Sequence, residues 1–216
     1  MNPTSTAVKF HTDNQALQRL YRATEQKLKE NIKEFAGRRV LIEGGGYHKI
    51  WLETQPMGGE MYAKRDIEAA LNNQLLFMEC QREDGRLPGS ITVENGKLLP
   101  QFNKVQGFCF PAPALNMYYW IGQDRGYLQL LYATLERFDA WLWRERDSNG
   151  DGCLESWCVY DTGEDNAKRY GNAPCWWEAA APPEGYDVVP IQSMDFMSFS
   201  YSARETLSKI SGILGN

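Results

Sequence analysis

A chain of 216 residues is long enough to fill one hydrophobic core, and we predict a single domain over residues 1–216. Its hydrophobic content of 43% and charged content of 24% are those of a soluble globular protein. The net charge of −5 argues against nucleic acid or an anionic membrane as the main partner.

Five stretches have apolar residues at intervals of three and four, which predicts amphipathic helices. Asp66 is placed to cap the second of them, and glycines follow the third and the last. Residues 90–93 and 97–100 flank an Asn95-Gly96 turn and predict a small β-hairpin. The predicted helices cover residues 14–35, 66–81, 112–121, 127–144 and 193–214.

The remaining segments are long loops rich in Gly, Pro and aromatic residues. Such loops are uncommon in compact domains and are usually functional. Helical hairpins that carry their long loops at one end would form a cleft there. Many of the 7 Trp and 11 Tyr lie in these loops, where a flat ring can stack on a ligand. An irregular helical bundle with a Trp-rich core is the alternative.

The segment DSNGDGCLE, residues 147–155, has the spacing of a calcium-binding loop. Oxygen ligands at alternate positions, with glycine at the sixth, suit a hard cation. An EF-hand would require glutamate at position 12, which is Cys158 here, and a solvated Asp/Asn/Gly turn has the same composition. The predicted calcium ligands are Asp147, Asn149, Asp151, the backbone carbonyl of Cys153, and Glu155.

The segment DTGEDNAKRY, residues 161–170, places Glu164 and Asp165 near indole rings. Hydrolysis of a glycosidic bond needs one carboxylic acid to protonate the leaving oxygen and a second carboxylate to activate water or attack carbon. Apolar walls and a nearby negative charge raise the pKa of such an acid. The N-terminus of a helix would favour the same two carboxylates. The side chains predicted to bind a sugar around them are Asn166, Arg169, Trp157, Trp176 and Trp177.

Three motifs resemble glycoside hydrolase family 63 and the related trehalases. They are Q-x-x-D-G-x-x-P at residues 81–88, R-D-x-x-G-D-G-x-x-E at 146–155 and G-E-D-N-A-K-R at 163–169. The resemblance spans residues 37–216 and is strongest in the second half. It implies an all-α fold of (α/α)6-barrel-type helical hairpins. A full barrel has 12 helices and takes about 400 residues, so this chain would be about half a barrel, its N-terminal half.

The resemblance also implies roles for individual residues. The family's general acid is the Asp before Asn in G-x-D-N, which is Asp165 here. Some members hold calcium in the acidic loop. The early sugar-binding subsite of the family implies Trp51 and Gln81, with Arg65 and Asp84 nearby, although the family's W-x-W-D opening is not matched around Trp51. No carboxylate of this chain corresponds to the catalytic base.

Together with the residue patterns, the resemblance implies an inverting glycoside hydrolase without an organic cofactor. Its substrates would be α-glucosidic or α-mannosidic oligosaccharides or small glycosides. The chain would associate with itself or with a missing C-terminal half. The alternatives are a non-catalytic carbohydrate-binding protein and a calcium-stabilised helical protein. Five cysteines without a CxxC pair predict reduced, buried thiols, and the lack of a signal-like or 18-residue apolar run predicts a cytoplasmic protein without a membrane partner.

Overall fold

The computed structural model describes residues 8–215, which form six α-helices, seven short β-strands and one 3-10 helix. The helices are α1 (Gln15–Glu30), α2 (Gln55–Tyr62), α3 (Ile67–Glu79), α4 (Pro111–Trp120), α5 (Arg125–Glu145) and α6 (Met194–Leu214). The strands are β1 (Ile32–Phe35), β2 (Arg38–Leu41), β3 (Ile50–Trp51), β4 (Ser90–Glu94), β5 (Lys97–Gln101), β6 (Glu155–Ser156) and β7 (Ile191–Gln192), and the 3-10 helix is Lys168–Tyr170.

Side-chain caps fix where the main helices begin. The Asp66 carboxylate accepts a hydrogen bond from the Ala69 amide at 3.1 Å, and Asp124 accepts one from the Tyr127 amide at 2.8 Å. Ser193 caps α6 in the same way, and Gly215 ends it in the left-handed conformation, with a φ of 82°. The starts and ends of α3, α4, α5 and α6 therefore lie within about two residues of their predicted positions.

The hydrophobic core is built by the packing of neighbouring helices. Helix α2 packs against α3 and α4, whereas α4 also contacts α5 and α6, and α5 packs along α6. Phe77, Phe108, Leu128 and Phe196 are buried where these helices meet. A helical fold of the (α/α) type with long loops is confirmed.

The predicted helix over residues 14–35 is too long. It ends at Glu30, and β1 and β2 then form a hairpin in which Phe35 pairs with Arg38. The two turn residues, Ala36 and Gly37, have φ angles of 52° and 81°. Two consecutive residues with positive φ form the tight turn that joins antiparallel strands, so the chain reverses where the apolar spacing suggested helix.

Helix α2 is absent from the sequence-based prediction because its segment contains Pro56, Gly58 and Gly59. Pro56 lies in the first turn, where a missing N–H has no cost. A Cβ on Gly59 would lie 2.6 Å from the Cβ of Asn73 in α3. Glycine at this position therefore permits α2 and α3 to pack closely and does not break the helix.

The small sheets hold the long loops. The predicted hairpin is confirmed as β4 and β5, and β3 adds to its other side in the order β3-β4-β5. Strands β6 and β7 pair antiparallel and so join the two ends of the long segment between α5 and α6. Apart from the 3-10 helix Lys168–Tyr170, the segment between these strands is a long loop, as predicted.

Among residues 8–215, no helix is both long enough and apolar enough to cross a bilayer. All five cysteines are free thiols, but only Cys158 is fully buried, and Cys175 is exposed. The prediction of buried thiols is therefore wrong for most of them, because four lie in loops or at the ends of elements.

Candidate functional site

A cleft of about 480 Å³ lies between the loop that carries β3 and the long segment after α5. Four stretches line it: residues 43–53, residues 101–106, residues 160–165, and Trp176. It has the size of a small-molecule site, and its lining combines aromatic rings with charged and amide groups.

Alternating residues of the β3 segment form one wall of the cleft. Successive side chains of an extended chain point to opposite faces. Ile50 and Leu52 are fully buried in the core. The residues between and beside them line the cleft: Tyr47, Lys49, Trp51 and Glu53.

Trp51 is surrounded by two cations. The ammonium groups of Lys49 and Lys104 lie 5.3 and 5.1 Å from the centroid of its ring, and Tyr47 meets it edge-on at 5.8 Å. Lys104 is 6% exposed, and burial, with the charge of Lys49, lowers its pKa. Trp51 thus lines the cleft, and its contact with a sugar stays a prediction.

Glu53 is a half-buried carboxylate of the cleft that the sequence analysis did not select. Its Oε2 accepts a hydrogen bond of 2.7 Å from Gln106 Nε2. Burial raises the pKa of Glu53, and the negative charge of Asp165 raises it further. A Cβ on Gly163 would clash with Oε2, so the backbone of the 161–170 segment contacts this carboxylate directly.

Asp165 lies on the opposite wall and lines the cleft as an exposed side chain. The next residue, Asn166, is also exposed and has a positive φ of 63°. Trp176 closes this side of the cleft by stacking on Tyr160, with ring centroids 6.3 Å apart. The cleft lining therefore contains three carboxylates, with Glu43 and Glu53 on one segment and Asp165 on another.

Three residues predicted to bind sugar do not line the cleft. Arg65 forms a bidentate ion pair with Glu25 of α1. Gln81 donates to the carbonyls of Gly85 and Thr134 at 2.7 and 2.9 Å and so holds the loop after α3. Asp84 pairs with Arg82 within the same turn. These side chains stabilise the fold.

Three further predicted sugar-binding residues also serve the fold. Trp157 is 1% exposed and donates from Nε1 to Glu155 at 3.0 Å. Arg169 forms ion pairs with Glu164 and with Asp195 at the start of α6. Trp177 donates from Nε1 to the carbonyl of Ala181, outside the cleft lining. Of the three Trp residues predicted to surround Asp165, only Trp176 lines the cleft.

The predicted calcium loop is held by its own hydrogen bonds. Asp147 accepts from the Gly152 amide, Asn149 from the Asp151 amide, and Asp151 from the Cys153 amide. Within residues 8–215, no group of three or more His, Cys, Asp or Glu side chains is positioned to hold a metal ion.

Glu155, the last residue of this loop, is buried and bonded to other side chains. Its carboxylate is 3% exposed and accepts from Ser148 Oγ at 2.6 Å and from Trp157 Nε1 at 3.0 Å. The structure therefore does not bring the predicted ligand set together, and calcium binding stays a prediction from spacing.

The cleft residues missed by sequence reasoning have one visible signal. Residues 49–53, KIWLE, alternate between cleft-lining and buried positions, which is the pattern of a half-buried extended segment. No local pattern marks Lys104, Gln106 or Tyr160, which reach the cleft through long-range packing.

No protein-family model matches the chain, and no curated protein matches it significantly. Among solved structures, its fold is similar to that of an uncharacterized conserved protein from Thermus thermophilus. The TM-score is 0.66 at 16% identity, over 90% of this chain and 58% of the other. It is also similar to a GH63 mannosylglycerate hydrolase from the same organism, solved in complex with glucose. That TM-score is 0.54 at 18% identity, over 91% of this chain and 51% of the other.

The chain thus has a helical fold like that of a family 63 glycoside hydrolase. It spans a little over half the length of the two structures that it resembles.

Proposed function

We propose that this chain belongs to an inverting glycoside hydrolase that acts on α-glucosidic or α-mannosidic bonds. The observation that carries the proposal is the cleft whose lining brings together the carboxylates of Asp165 and Glu53 and the rings of Trp51 and Trp176. Its support comes from the G-E-D-N motif around Asp165 and from the similarity of the fold to a GH63 hydrolase.

Asp165 is proposed as the general acid. It would give its proton to the glycosidic oxygen as the bond to the anomeric carbon breaks, and the leaving alcohol would carry that proton away. A carboxylate outside this chain would take a proton from water as the water attacks from the opposite face of the sugar. The exposure of Asp165 at the cleft suits this role, because the leaving group must reach it.

Glu53 is proposed to hold the sugar and not to attack it. Its carboxylate is anchored by Gln106 and lies against Gly163, so it is fixed in place. A fixed carboxylate can accept a hydrogen bond from a sugar hydroxyl and orient the ring on Trp51. Lys49 and Lys104 offset part of the negative charge of the two acids.

The second candidate is a carbohydrate-binding protein without catalysis. It is favoured by the lining of the cleft, because aromatic rings with fixed polar groups are sufficient to hold a sugar. Both candidates use the same cleft and differ only in turnover.

Hydrolysis and binding assays separate the two. We expect release of sugar from nitrophenyl α-glucoside, nitrophenyl α-mannoside, α-mannosyl glycerate or trehalose, with inversion at the anomeric carbon seen by NMR. Loss of turnover in Asp165→Asn with sugar binding retained would support the catalytic role. Equal inactivity of the wild type and Asp165→Asn, with binding retained in both, would support the binding protein.

A further inference from the structure

A second cavity, of about 410 Å³, lies beside the cleft. The two cavities share Gln101 and Asn103 in their linings. The second cavity is not needed by the acid or by the carboxylate that holds the sugar in the cleft. Its position makes it a candidate for the rest of a larger ligand.

The same two chain segments border both cavities. The Trp177 amide donates to the Asn103 carbonyl at 2.7 Å and so fastens residues 176–178 beside residues 101–104. Trp176 on one side of this bond lines the cleft, and Glu178 on the other side lines the second cavity. A ligand that leaves the cleft along this edge would pass from Trp176 to Glu178.

The lining of the second cavity suits a neutral polyhydroxylated ring. Phe102 is half-buried and offers an aromatic surface, with the Arg82 guanidinium 5.1 Å from its centroid. Glu178 is exposed and can accept hydrogen bonds, whereas the shared amides can both donate and accept. Because the cavity carries one cation and one anion, its lining does not select a ligand of either charge.

We infer that this second cavity binds a further sugar unit of a neutral α-linked oligosaccharide whose terminal sugar occupies the cleft. The inference rests on the proposed function and deepens it, since it assigns a trisaccharide or longer glycan as the preferred ligand. Phe102 supplies the stacking surface, and Glu178 pairs with hydroxyl groups.

Calorimetric titration with sugars of increasing length tests the inference. The probes are glucose and the glucose di- and trisaccharides with α-1,3, α-1,4 and α-1,6 linkages. We expect at least one trisaccharide to bind the wild type about tenfold more tightly than its disaccharide. Phe102→Ala and Glu178→Gln are each expected to remove most of this gain while leaving the affinity for glucose and the melting temperature unchanged.

Glu94→Gln, an exposed substitution at the tip of the β4–β5 hairpin, is the matched control and should keep the gain. If Phe102→Ala does not fold, the Glu178→Gln result decides alone. Equal affinity for disaccharide and trisaccharide in every linkage, with glucose still bound, would overturn this inference and leave the proposed function standing. Failure of all the sugars to bind would overturn both.

Discussion

The guanidinium of Arg146 and the carboxylate of Asp161 form a fully buried ion pair, with 2.5 Å between Nη1 and Oδ2. The same carboxylate accepts hydrogen bonds from the amides of Val105 and Trp157, at 2.8 and 2.7 Å. The carbonyl of Asp161 accepts from the Gly107 amide at 2.6 Å. Asp161 therefore links the end of α5 and residues 105–107 to the start of the 161–170 segment.

Asp161→Asn should strongly destabilise the protein. Loss of the negative charge leaves Arg146 buried without its partner, which costs about 3–5 kcal/mol. Urea unfolding measures this change in the free energy of unfolding. Asp139→Asn, which breaks a more exposed pair with Arg204, is the control and should cost less than about 1 kcal/mol. Similar losses in both variants would contradict a special role for the buried pair.

The same pair predicts loss of stability in acid. Burial alone would raise the pKa of Asp161, but the charge and hydrogen bonds of Arg146 hold it below its usual value. A lowered native pKa means that this stabilisation is complete above the unfolded pKa of about 3.9 and is lost as the pH falls further. Unfolding free energies measured from pH 6 down to pH 3 should fall more steeply in the wild type than in Asp161→Asn.

Asp165→Asn should lower kcat by about 10²–10⁴-fold while leaving the fold intact. The side chain is exposed, so its replacement removes little packing. Glu164→Gln is the matched control, because Glu164 is the adjacent carboxylate and pairs with Arg169. Turnover and melting temperature are measured for both. A larger loss of turnover in Glu164→Gln than in Asp165→Asn would show that Glu164, and not Asp165, is the acid.

Glu53→Gln should weaken sugar binding and stabilise the protein at neutral pH. Because the native pKa of Glu53 is raised, the folded state holds this proton more tightly than the unfolded state. The free energy of unfolding therefore falls as the pH rises above the unfolded pKa of about 4.3, and the protein remains less stable at pH 7 than at pH 4 for this reason. We expect the variant to melt about 2 °C higher than the wild type at pH 7, and at the same temperature as the wild type at pH 4.

Calcium binding by the 147–155 loop would require its oxygens to exchange amide partners for the ion. If the spacing prediction is correct, millimolar calcium raises the melting temperature by a few degrees relative to magnesium. Asp151→Asn should abolish this shift. An unchanged melting temperature in the wild type would show that the loop is held by hydrogen bonds alone.

Local patterns in the sequence were sufficient for most of the helices and for one hairpin. Apolar spacing and caps such as Asp66 located α3 to α6, and Asn95-Gly96 located the turn between β4 and β5. Helix α2 was missed because its glycine fits against Asn73, a partner that only tertiary structure reveals.

The site could be predicted only in part. Of the predicted residues, Trp51, Asp165 and Trp176 line the cleft. Glu53 could not be predicted, because its position depends on contacts with Gln106 and Gly163, which are distant in the sequence. Conversely, Trp157 was predicted to bind sugar because it is aromatic, but its ring is buried in the core. Residue type alone does not distinguish an aromatic wall from an aromatic core.

The two oxygens of Glu53 are not equivalent. Oε2 is enclosed between the amide of Gln106 and the bare α-carbon of Gly163, where no side chain would fit. This arrangement leaves Oε1 as the oxygen available to an incoming hydroxyl group. The side of the carboxylate that a ligand meets is thus decided by a glycine that bears no functional group of its own.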